Sequence, residues 1–104
     1  MNGVYHEFRS YSPIHDCEVG RISVFNERGS EFYMLVPVES PRKYRHARQA
    51  ALDAIQEAMD RHLEPGQVKI SASDFNHAIL QIAVAEAQQK RTELLVRGVD
   101  PDDQ

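Results

Sequence analysis

Residues 31–41 read Glu31-Phe32-Tyr33-Met34-Leu35-Val36-Pro37-Val38-Glu39-Ser40-Pro41, and strand-like sequence gives way to helix-like sequence inside them. Phe32 to Val38 is an apolar run rich in β-branched and aromatic side chains, which suit a pleated surface. Ser40 followed by Pro41 is a helix start: a hydroxyl to cap free amides, then a residue with φ already helical and no amide to satisfy. Within the run, alternation places Phe32, Met34, Val36 and Val38 on one face and Tyr33 and Leu35 on the other. Both faces are therefore apolar. Helices cover only one face of a small sheet, so the side carrying Tyr33 and Leu35 is the expected contact surface. Pro37 cannot donate to a ladder, so this strand should lie at an edge or end there.

Working upstream, Val19 to Asn26 is a second strand-like stretch, separated from Glu31 by a loop with Gly29 where a positive φ is needed. The pair reads as a β-hairpin. Val4 to Arg9 is a candidate first strand, with Val4, His6 and Phe8 on one side and Tyr5, Glu7 and Arg9 on the other. All four tyrosines precede Ala47, and all ten alanines lie between Ala47 and Ala87. That asymmetry separates a β half from a helical half.

Downstream, residues 42–64 and 67–97 are free of Gly and Pro, as long helices require. In the first helix Tyr44, Ala47, Ala51, Leu52, Ile55, Ala58, Met59, His62 and Leu63 share one side, an amphipathic stripe facing a core. His62 and His77 are expected to be hydrogen-bonded structural histidines. Val68-Lys69-Ile70 is expected to add a short strand. A second helix follows from about Asp74 to Arg97, capped by Ser71 or Ser73 at its start and Gly98 at its end. Its first half is apolar around most of its circumference, so it is either sandwiched between sheet and first helix or uses its spare face in a homodimer.

The expected architecture is α+β: a three- or four-stranded, mainly antiparallel sheet packed on two α-helices, in the order β-β-β-α-(β)-α. Residues 1–99 form one domain, and 100–104 are a disordered acidic tail. Leu, Ile, Val and Phe make up 25 of 104 residues, enough for a core. The longest apolar run is far short of the roughly 20 residues that cross a bilayer, so no membrane partner is expected. No basic segment leads into an apolar run at the N-terminus, which makes the cytoplasm the expected compartment. Cys17 is the only cysteine, so neither an intramolecular disulfide nor a cysteine-based zinc site is available.

Arg42-Lys43-Tyr44-Arg45-His46-Ala47-Arg48 places four cations at a helix N-terminus, where the dipole favours acids. Read for function, Arg42, Lys43, Arg45 and Arg48 are anchors for an acidic protein surface or a phosphate backbone, and Tyr44 is available to stack. Read for structure alone, they are a solvated turn paired with nearby carboxylates. His15-Asp16-Cys17-Glu18 holds metal-ligand and nucleophile types, but neighbours in an extended segment point opposite ways and match no zinc spacing. No phosphate loop, helix-borne His pair or nucleophile elbow is present, and no cofactor is implied.

The leading expectation is a non-catalytic protein-interaction module, an inhibitor or adaptor, for example of a host nuclease or defence complex, acting by covering a partner's surface. Tyr33, Leu35, Arg42, Lys43, Tyr44, Arg45 and Arg48 are its expected contact residues. The alternatives are a nucleic-acid-binding module using the basic helix start, against which the formal charge of −4 weighs, and a small enzyme or metal protein centred on His15 and Cys17.

Overall fold

Strands β1 (Val4–Ser12), β2 (Cys17–Phe25) and β3 (Glu31–Pro37) are followed by helix α1 (Pro41–Asp60), strand β4 (Gly66–Gln67) and helix α2 (Ala72–Val96) in the computed structural model, which describes residues 4–96. The sheet order is β1-β2-β3-β4, with antiparallel pairing through β3 and a parallel β4. This is the α+β fold that the alternation and helix signals predict. Gly98 and the tail at 100–104 lie outside the described residues.

Both hairpin turns are closed by residues suited to them. Asn26 accepts the amide of Gly29 on its carbonyl at 3.0 Å and those of Arg28 and Ser30 on its side chain, both at 2.9 Å. Gly29 adopts φ 79°, a region open to glycine without steric cost. In the first turn Asp16, at φ 51°, accepts a hydrogen bond from the Tyr11 hydroxyl. β1 therefore runs three residues past the expected Arg9.

Helix α1 starts as its sequence dictates: the Ser40 hydroxyl accepts the Lys43 amide at 3.2 Å, ahead of Pro41 at the first turn. It stops at Asp60, before His62 and Leu63 of the expected stripe. His62 takes φ 55°, and the amides of His62 and Leu63 return to the carbonyls of Met59 and Ala58 at 3.1 and 3.0 Å. This is a Schellman closure with histidine where glycine is usual. His62 and Leu63, expected on the core stripe and in His62's case as a structural histidine, are consequently exposed. The closure turns the chain back along β3, where Val68 donates to the Tyr33 carbonyl at 2.8 Å. The short strand thus forms at Gly66–Gln67, just ahead of the expected Val68–Ile70.

The core lies between the sheet and α1. Ile22, Val24, Phe32, Met34 and Val36 from the sheet meet Tyr44, Ala47, Ala51, Ile55 and Ala58 from the helix. Gly20 makes room for the Tyr44 ring: a Cβ there would lie 2.8 Å from Tyr44 Cζ. Helix α2, capped by Ser71 through the Asp74 amide at 3.0 Å, packs along α1 and reaches the core with Phe75 and Ile79. It is not sandwiched, contrary to one of the two placements its composition suggests. No α2 residue through Thr92 is fully buried, His77 is exposed, and Leu80 keeps 60% of its surface in solvent. The reason is geometric: α1 already covers the strip of sheet that a second helix would need.

Candidate protein-interaction surface

Cross-strand register determines which side chains share the uncovered face of the sheet. Val4, Phe25 and Glu31 form one row, His6, Ser23 and Tyr33 the next, then Phe8, Arg21 and Leu35. No described helix covers this face. Phe8 is 68% exposed and Leu35 39%, with Arg21 between them. Tyr33 and Leu35 therefore lie where alternation predicts, on the side opposite the core.

This face is partly preorganised. The Arg21 guanidinium lies over the Tyr33 ring at 3.7 Å from its centroid and donates to Glu31 at 2.7 and 3.3 Å. The Ser23 hydroxyl donates to the same carboxylate at 2.7 Å. Arg21 first, and then Ser23, hold the Glu31 carboxyl below its ordinary range. The His6 ring stands edge-on to Phe25 at 5.4 Å. An ordered Arg stacked on Tyr, flanked by exposed Phe8 and Leu35, presents the residue types that carry most interface energy.

The basic helix start has a different fate. Lys43 pairs with Glu39 at 2.7 Å, Arg45 with Glu86 at 2.7 Å and Arg48 with Glu7 at 3.4 Å. Arg42 is exposed and makes no ion pair among the described residues. Tyr44, expected as a contact or stacking residue, is 1% exposed and belongs to the core. Its place on the apolar stripe, not its neighbourhood of cations, decides where it goes. The cluster is mostly internal wiring.

Several residues of these networks escape a reading by local pattern. His46 is 6% exposed and meets Glu86 at 2.9 Å, because α1 is buried on a second side, toward α2, that a single amphipathic stripe does not reveal. The His46 bond first, then the Arg45 bond, hold Glu86 below its ordinary range. Arg21 and Glu31 prove to lie two rows apart on one face only once the hairpin register is known; alternation on β2 is the available signal. Between α1 and α2 runs a groove of about 510 Å³ lined by Pro37, Lys43, Ala47, Phe75, Ile79 and Leu80.

His15 sits exposed in the first turn, its Nδ1 2.9 Å from the Ser12 hydroxyl, and Cys17 is partly buried at the start of β2. Among the described residues no group of three or more His, Cys, Asp or Glu could hold a metal ion, and no helix is long and apolar enough to cross a membrane. Comparison with known proteins finds no matching family model, no matching curated sequence and no matching solved structure.

Proposed function

We propose that this chain is a non-catalytic protein-interaction module, working in the cytoplasm as an inhibitor or adaptor that covers a partner's surface. The observation that carries this reading is the uncovered sheet face, where Phe8, Leu35 and the Arg21–Tyr33 stack form one surface with no described element over it. Exposed apolar residues gathered on one face, rather than scattered, mark interaction sites. The basic helix start supports a protein partner better than a phosphate backbone, because three of its four Lys and Arg side chains are already matched by carboxylates. Arg42 remains as the charged anchor.

The test is affinity capture from host lysate with nuclease present, comparing the natural chain with Leu35→Glu and Tyr33→Ser. Both substitutions lie outside the core, so circular dichroism should be unchanged while a stoichiometric protein partner is lost. Equal capture by all three chains would remove this face from the reading. Material that disappears only on nuclease treatment would favour nucleic acid bound through Arg42.

A further inference from the structure

Strand β1 is the outer strand of the sheet, and on its other edge the N–H and C=O groups of every second residue have no ladder partner among the described residues. No proline interrupts it, it pairs with β2 without a bulge along its whole length, and α2 packs along α1 rather than over β1. Such an edge is a template for another strand unless something blocks it. Here the side chains restrict what can be added. On the helix side the edge presents Tyr5, Glu7, Arg9 and Tyr11, and on the open side Val4, His6, Phe8, Ser10 and Ser12. An incoming strand that brought an apolar side chain or a like charge against Glu7 or Arg9 would be penalised.

One sequence meets these requirements in order, and it is β1 itself. A twofold axis perpendicular to the sheet, passing midway between the two Phe8 residues, sets two β1 strands antiparallel and keeps each face continuous. In that register Glu7 opposes Arg9 of the second copy, and Arg9 opposes its Glu7. Tyr5 opposes Tyr11, Val4 opposes Ser12, and the two Phe8 rings meet on the open side. All nine residues find a partner, both charge pairs are opposite in sign, and three aromatic pairs form. We propose that two copies of this chain join through their β1 edges into a continuous eight-stranded sheet.

The pairing turns an aggregation liability into a closed interface, because each copy consumes the other's free edge. It also merges the two open faces into one surface, with Leu35, Arg21 and Phe8 of each copy in a single row across the axis. The proposal stands on β1 alone and does not require the partner-covering role argued above.

Sedimentation or light scattering on the full chain tests it. The natural chain should have twice the mass of one chain and should dissociate on dilution. Phe8→Lys, at an exposed position, and Arg9→Glu should each keep the helical and strand signal yet weaken association at least about tenfold, since each opposes like charges across the axis. Glu7→Lys should do the same, and mixing it with Arg9→Glu should restore the doubled mass, because each chain then supplies the opposite charge. If Glu7→Lys fails to fold, Phe8→Lys and Arg9→Glu decide alone. A natural chain that stays at single mass, a dimer that survives both Phe8→Lys and Arg9→Glu, or one abolished instead by Val84→Lys on α2 would overturn the proposal.

Discussion

The Tyr44 hydroxyl donates a hydrogen bond to a carboxylate oxygen of Glu7, joining a buried helix side chain to the edge strand β1. Tyr5 donates to the other oxygen of the same carboxylate at 2.7 Å, and Arg48 approaches that oxygen at 3.4 Å. The Arg9 guanidinium covers the Tyr44 ring at 4.4 Å. Glu7 thus lies at the meeting point of β1 and α1, which otherwise leaves β1 largely uncovered. Burial opposes ionisation of Glu7, but the Tyr44 and Tyr5 hydroxyls and then Arg48 outweigh it, so its carboxyl lies below the ordinary range. Burial and the same bond push the Tyr44 hydroxyl up to about 12.

Removing the hydroxyl should separate the polar tie from the packing. Tyr44→Phe keeps the ring and should cost about 1–2 kcal/mol, the price of an acceptor left poorly matched. Tyr44→Ala should cost about 3–5 kcal/mol, because a cavity opens over Gly20. Urea denaturation checks both. Amide exchange in β1 should accelerate in Tyr44→Phe before exchange in β2 does.

The pH dependence follows from the same cluster. Glu7 and Glu31 both ionise more readily when folded than at their ordinary 4.5, so their contribution is fully present above that pH. It is lost as pH falls below 4.5 through the folded values. Tyr44 behaves oppositely: its raised value contributes stability below pH 10, lost as pH rises from 10 toward about 12. Melting temperature against pH should therefore fall at both ends, and Tyr44→Phe should shrink the alkaline fall. An alkaline limb unchanged in Tyr44→Phe would contradict the assignment.

Two glycine substitutions should fail for different reasons. Gly20→Ala forces the Tyr44 ring to move and should cost about 1–3 kcal/mol through overpacking. Gly29→Ala meets no atom within 4 Å but must hold φ 79°, at about 1 kcal/mol. Pairing Gly20→Ala with Tyr44→Ala should recover part of the first loss, whereas Gly29→Ala should be additive with it.

Helix α2 should tolerate polar substitution on its outward side. Leu80→Lys and Val84→Lys should change stability by less than about 0.5 kcal/mol, since both side chains are exposed. Ile55→Ala, at the centre of the core, should cost about 2–5 kcal/mol. Thermal melts of the three variants make the comparison, and a large loss at Leu80 would mean that α2 is covered in solution.

The local chemistry of the sequence determined the elements. Alternation from Phe32 to Val38, Asn26 and Gly29 in the turn, and Ser40-Pro41 at the helix start each act within a few residues, so they were legible without tertiary information. The uncovered face with Tyr33 and Leu35 followed from the same alternation. What only the tertiary structure decided were relationships across the chain: Tyr44 buried against Gly20 and bonded to Glu7, His46 turned toward Glu86, and Arg45 and Arg48 of α1 matched by the distant acids Glu86 and Glu7. The placement of α2 was also decided there. Its sequence is apolar enough for burial, but α1 had taken the sheet face, and one small sheet has room for one helix layer. Short-range propensity is written residue by residue, whereas which carboxylate neutralises which cation depends on register and packing that no single stretch contains.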